Sequence, residues 1–132
     1  MDDIYDRIRN AALSAAPAGA TKYLHASALI SAKGKVISIG RNHYRGELIE
    51  GEFGPIKRTM HSEIHALYQV NVRRLSGATI INYACSNGPN HNAVVSRPCD
   101  TCWSILKKLG VKKVLYSAHP QNGKQVWKEE RF

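Results

Sequence analysis

Apolar residues recur along this chain at two different spacings. From Asp3 to Ala15, Ile4, Ile8, Ala11 (or Ala12) and Leu13 recur at roughly helical intervals, and Ala16-Pro17-Ala18-Gly19 ends the run. Leu24 to Ser31 and Lys35 to Ile39 are β-rich runs on either side of Ala32-Lys33-Gly34, a hairpin signal. Gly40-Arg41-Asn42 leaves the second run, and residues 43–58, with Gly46, Gly51, Gly54 and Pro55, read as a long loop. Thr59 is the expected N-cap of a helix from Met60 to Arg74 that carries Ile64, Leu67, Tyr68 and Val72 on one side. Ala78 to Tyr83 reads as a buried strand and Ser86 to Asn92 as a second loop. Pro98 stands at the start of a helix from Cys99 to Leu109, which Gly110 closes. Val111 to Tyr116 is a further strand, residues 120–123 a turn, and Lys124 to Glu129 the last strand.

The order α-β-β-α-β-α-β-β implies a sheet covered by helices on both faces. The expected fold is therefore α/β: three layers, α/β/α, around a mixed five-stranded sheet, with residues 1–132 as a single domain. Too few residues follow Tyr116 for a right-handed crossover, which needs about a dozen residues and usually a helix. His119-Pro120-Gln121-Asn122-Gly123 reads instead as a tight turn, with Asn-Gly a strong hairpin signal. The last two strands should pair antiparallel.

Composition narrows the setting. A chain of 132 residues buries roughly two-thirds of its unfolded surface and needs no disulfide scaffold. No apolar run approaches the ~18 residues of a membrane span, and no leader pattern opens the chain, so the expected compartment is the cytoplasm. Lys and Arg number 19 against 10 acidic residues, a net charge of +9. That excess suits solubility as well as a polyanionic partner, nucleic acid included, or a phosphorylated substrate.

Two short motifs carry candidate chemistry: His61-Ser62-Glu63 and Pro98-Cys99-Asp100-Thr101-Cys102. Cysteines three apart in a first helical turn face the same side, and the positive end of a helix favours thiolate over thiol. His61 supplies a third ligand from another helix start. One nitrogen and two sulfurs suit zinc and leave a fourth position open, as catalytic sites do. Glu63, two residues beyond His61, is near such a metal without ligating it, where a carboxylate can take a proton from water and return it to a leaving group. A structural site would need a fourth protein ligand, for which Cys85 is the candidate, and a redox pair is the other bland reading.

On these two motifs, in this order, the chain resembles the cytidine and deoxycytidylate deaminase superfamily; His-x-Glu followed by Pro-Cys-x-x-Cys is that group's signature. The resemblance runs from about Leu24 to Phe132. It implies a zinc-dependent hydrolytic deaminase of a cytosine-type base, with His61, Cys99 and Cys102 on Zn2+ and Glu63 as general acid/base. Gly40-Arg41-Asn42 looks like the family's Gly-x-Asn, which makes Asn42 a candidate contact for sugar or base. Ser62 stands where relatives have Ala, and Arg97 stands before Pro-Cys where many have Glu, so both are candidate substrate contacts. A free nucleoside or nucleotide (cytidine, deoxycytidine, dCMP) is the expected substrate and a polynucleotide the alternative. Nucleoside-type members tend to have an antiparallel last pair, and members of similar length close their sites by oligomerising, which implies a homo-oligomer.

The remaining features have plainer readings. His65 reads as a helix side chain or a neighbour of the site; His25, His43, His91 and His119 read as ordinary. Arg41, Arg45, Lys57 and Arg58 form a solvated basic loop or a phosphate contact. Trp103 and Tyr116 read as core, and Trp127 as core or as a lid over a base.

Overall fold

The computed structural model describes residues 2–14, 23–41, 43–44, 49–51, 54–56, 59–86 and 92–132. Its elements are α1 (Asp2–Leu13), β1 (Tyr23–Ile30), β2 (Val36–Arg41), β3 (His43–Tyr44), β4 (Ile49–Gly51), β5 (Gly54–Ile56), β6 (Thr59–Met60), α2 (Ser62–Tyr68), β7 (Thr79–Ser86), β8 (Ala93–Val94), α3 (Asp100–Lys108), β9 (Lys113–Gln121) and β10 (Lys124–Arg131). The main sheet has the order β10-β9-β7-β1-β2, with β8 joined to β7 as a short sixth strand. β7 and β9 are parallel and every other pair is antiparallel, β9–β10 included.

Alternation along the strands sorts the side chains into two layers. Leu24, Ala26 and Ala28 of β1 join Ile81, Tyr83 and Cys85 of β7 under Ile4, Ile8 and Ala12 of α1. Leu29 of β1 and Ile80 of β7 point the other way and pack with Ala66 of α2 and Leu106 of α3. This is the three-layer arrangement expected, with one more strand than the pattern indicated.

Three local expectations are corrected, and one left open is decided. The helix expected from Met60 to Arg74 is broken: α2 ends at Tyr68, and a 3₁₀ turn occupies Val72–Arg74. Asn71 accounts for the restart, because its Oδ1 accepts the Arg73 amide at 3.0 Å and its carbonyl accepts the Arg74 amide at 3.0 Å. Thr59 is not the cap; it lies in β6, paired with Tyr44 of β3, and His61 is the N-cap residue. The stretch 43–58 contains short paired strands, β4 with β5 and β3 with β6, rather than loop throughout. Of the two readings of Trp127, the first holds: it is partly buried against the α1 layer, its ring 4.5 Å from Tyr5 and 6.3 Å from Tyr83.

Gly40 sets how closely α2 approaches the sheet. A Cβ there would lie 2.5 Å from the Ser62 carbonyl oxygen and 2.9 Å from the Ala66 Cα. Only glycine lets the helix backbone rest on β2 at that point. Ser38 Oγ then donates to the Ala66 carbonyl at 2.9 Å, and Gln69 Nε2 to the Ile39 carbonyl at 3.0 Å.

Candidate metal and proton-transfer site

Both sulfur-bearing and imidazole-bearing segments meet at helix starts. His61 is the N-cap of α2 and Cys99 the N-cap of α3; both backbones are extended, and neither side chain caps its helix. The two side chains are thereby left to face each other. His61 Nδ1 lies 3.9 Å from Cys99 Sγ and 3.6 Å from Cys102 Sγ, and the three ligand atoms all lie within 4.8 Å of one another. Tetrahedral zinc, with Zn–N near 2.05 Å and Zn–S near 2.3 Å, separates a nitrogen and a sulfur ligand by about 3.6 Å. The donor set and its spacing fit zinc. Cys102 is buried, while His61 and Cys99 are exposed, so the open side of the triad faces solvent. Cys85 belongs to the opposite layer, packed with α1, so the fourth ligand of a structural site is not supplied by it.

The helix end does not by itself favour thiolate at Cys102. Burial pushes that thiol far above its ordinary range, and Glu63 and Cys99 add to the effect. A divalent cation between the sulfurs reverses this, since a coordinating thiol is deprotonated outright.

Glu63 is buried, 7% exposed, and its carboxylate is held at both oxygens. Ser62 Oγ donates to Oε1 at 3.1 Å, and Asn82 Nδ2 donates to Oε2 at 3.2 Å. Ser27 Oγ donates to Asn82 Oδ1 at 2.6 Å and lies 2.7 Å from Ser62 Oγ. These four side chains form a ring of short polar contacts, in which the Ser27–Ser62 contact has no proton of its own while Ser62 donates to Glu63. Ser27 and Asn82 are direct partners across β1 and β7, and both point to the α2–α3 layer. Asn82 is braced from β9: its Nδ2 also donates to the Ser96 carbonyl at 3.2 Å, and Ser96 Oγ sits 2.8 Å from Ser117 Oγ. Among the described residues, no buried side-chain nitrogen or oxygen lacks a partner.

The structure thus brings His61, Cys99, Cys102, Ser62 and Glu63 together. Asn42, Arg45, Lys57, Arg58 and His91 lie outside the described residues. Arg97 is turned to the last strand: its Nε is 2.7 Å from Glu130 Oε2, and its guanidinium lies 4.2 Å from the centre of the Trp103 ring. Tyr116 Oη donates to the same carboxylate at 2.8 Å. Arg97 first, and Tyr116 second, hold Glu130 below its ordinary carboxylate value. His65 Nδ1 accepts the Arg41 amide at 3.0 Å and pins α2 to the end of β2.

Sequence reading missed four residues near the site. Ser27 and Asn82 sit inside runs that read as strands, where their polarity was the available signal, and Ser96 lies in a stretch that read as loop. His25, on β1 and half-buried, feels both Glu63 and His61; burial lowers its pKa most, His61 lowers it further, and Glu63 opposes.

Residues 3–118 match the family model described as the cytidine and deoxycytidylate deaminase zinc-binding region. No curated protein sequence matches the chain. Among solved structures, dCMP deaminase from the cyanophage S-TIM5, in complex with dCMP and dUMP, is similar with a TM-score of 0.59 and 17% identity, covering 92% of this chain and 85% of the other. Cytidine deaminase from Burkholderia pseudomallei is similar with a TM-score of 0.50 and 15% identity, over 93% of this chain and 90% of the other. For cytidine deaminase from Mycobacterium leprae the values are 0.50 and 14%, over 86% and 87%. At these identities the likeness is one of fold.

Proposed function

The chain belongs to the cytidine and deoxycytidylate deaminase zinc-binding family, and we propose that it hydrolyses a cytosine-type base to uracil in a free nucleoside or nucleotide, releasing ammonia. The observation that carries this reading is a buried carboxylate, Glu63, held at both oxygens beside a nitrogen-and-two-sulfur triad open to solvent.

His61, Cys99 and Cys102 would hold the zinc. When bound, zinc supplies Lewis acidity that brings the pKa of water to about 7. Glu63 would take one proton from that water as oxygen adds to C4 of the base and pass it to N3, then carry the remaining hydroxyl proton to the amine as the C4–N bond breaks. Water and the C4 amine become the C4 carbonyl, the N3–H and ammonia, and Glu63 ends as it began. The ring around Glu63 suits this traffic. From Asn82 Oδ1 through Ser27 and Ser62 to Glu63 Oε1, the two hydroxyls provide one proton each for a run of contacts that can use one more, and a proton on Oε1 supplies it.

Two features support a free substrate. The antiparallel last pair is the topology that the resemblance associates with nucleoside-type members, and the similar solved structures are a dCMP deaminase and two cytidine deaminases. We assign Asn42 to the substrate side of the site, since Ser62 is committed to the Glu63 ring and Arg97 to Glu130, and expect a cytoplasmic homo-oligomer. The test is ammonia release by zinc-loaded protein across cytosine, cytidine, dCMP, adenosine, guanine and single-stranded oligonucleotides. Turnover of cytidine or dCMP supports the reading; release from oligonucleotides alone, or from none of the panel, sinks it.

A further inference from the structure

The positive charge of the chain is unevenly placed. Val36, Ile30, Thr79, Lys113 and Arg131 are successive partners across β2, β1, β7, β9 and β10, so one row of residues marks one end of the sheet. The turns at this end touch one another. Gly77 donates to the Gly110 carbonyl at 2.9 Å, Lys112 to the Ala78 carbonyl at 2.8 Å, and Phe132 to the Lys112 carbonyl at 3.0 Å. A Cβ on Gly77 would meet the Ala32 methyl at 3.3 Å, which adds the β1–β2 turn to the same surface.

Exposed cations crowd these turns. The β1–β2 turn carries Lys33 and Lys35, and the 3₁₀ turn before β7 carries Arg73 and Arg74. The corner between α3 and β9 carries Lys107, Lys108 and Lys112. Residues 31–35, 72–78 and 107–113 contain no Asp or Glu. Lys113 alone among these cations is paired, 3.5 Å from Glu129. The triad lies at the other end of α3, about 13 Å away at 1.5 Å per residue.

We propose that this pole is a docking surface for the phosphodiester backbone of a nucleic acid, separate from the metal site. From β2 to β9 the row spans three interstrand spacings, about 14 Å. Over that length one strand of a duplex presents about four phosphates. Among the described residues, the exposed large apolar ones, Tyr23, Tyr68 and Val95, belong to none of the three cationic turns. A membrane-surface site would add an apolar face to insert. The pole offers cations spaced along one edge, which suits backbone contact without sequence preference.

The experiment measures anisotropy of a fluorescein-labelled 20-base-pair duplex of arbitrary sequence against salt from 50 to 200 mM. Four neutralised phosphates predict that log K falls with log salt at a slope near −3.6. Arg73→Glu/Arg74→Glu/Lys108→Glu should weaken binding at least tenfold and flatten the slope, with ammonia release from free substrate unchanged. The charge-matched variant Arg7→Glu/Lys124→Glu/Lys128→Glu, away from the pole, should bind within threefold of wild type. Should the reversal fail to fold, the same three positions changed to Gln give the reading with a smaller effect. Equal losses in pole and control variants would reduce the effect to net charge and overturn the proposal. So would a pole variant that binds normally, or tighter binding to phosphatidylserine vesicles than to the duplex.

Discussion

Gly40→Ala is a one-carbon change whose effect can be worked through from the backbone outward. The new methyl would stand 2.5 Å from the Ser62 carbonyl oxygen and 2.9 Å from the Ala66 Cα, and would strike the Ala66 amide nitrogen as well. Comfortable contacts lie at about 3.5–4.0 Å. All three obstacles are backbone atoms of α2, so no rotamer relieves them and the helix must withdraw by about 1 Å. Gly40 pairs with Ser27 across the sheet, so the wedge enters beside the Ser27–Ser62 contact of the Glu63 ring. Overpacking of this kind costs about 1–3 kcal/mol. Loss of the Ser38 hydrogen bond to Ala66 adds about 1 kcal/mol. Together these predict a melting temperature lower by about 10 °C. Glu63 and His61 ride on α2, and a 1 Å misplacement of catalytic groups costs about 10²-fold in rate. Gly34→Ala is the comparison. Its φ of +87° strains an alanine, but a Cβ there meets nothing within 4 Å. It should cost about 1–2 kcal/mol and leave turnover intact. Differential scanning fluorimetry and ammonia release on both variants give the answer. If Gly40→Ala melts with Gly34→Ala and turns over normally, α2 does not rest on β2 as described.

Three further outcomes are expected. Glu63→Ala should keep about one zinc per chain by atomic absorption and lose at least ~10²-fold in kcat; normal turnover would remove Glu63 from the mechanism. Asn82→Leu, similar in size, leaves Glu63 Oε2 without its donor and should lower kcat about tenfold with zinc content and KM near wild type; a change confined to KM would place Asn82 on substrate instead. His25, whose pKa is lowered chiefly by burial, disfavours a proton in the folded state more than in the unfolded chain. Its stability contribution is therefore complete above the ordinary value of 6.5 and is lost as pH falls below it. Urea midpoints of wild type and His25→Gln should converge between pH 7.5 and 5; parallel curves would contradict this.

The metal triad was legible because its chemistry restricts residue types and its geometry restricts spacing. A Cys pair three apart and a His-x-Glu each begin a helix, and N-cap positions project side chains out of the chain end rather than along the helix. The main helices and strands along the chain and the antiparallel last pair were legible for a similar reason: apolar period and turn residues are local signals. The ring around Glu63 was not. Ser27 and Asn82 each sit in an apolar run where one short polar residue reads as tolerated, and neither has a motif around it. Their meaning lies in register. Ser27 opposes Asn82, both face the α2 layer, and Gly40 on the next strand admits the helix that brings Ser62 and Glu63 down onto them. Register depends on pairing between segments far apart in the chain, so a single strand cannot display it. The usable signal is weaker but physical: asparagine is disfavoured in strands, and a buried amide must find partners. An Asn inside Ala-Thr-Ile-Ile-Asn-Tyr-Ala therefore announces that some other polar group is buried opposite it, and since Glu63 is the one buried carboxylate among the described residues, that group is part of the site.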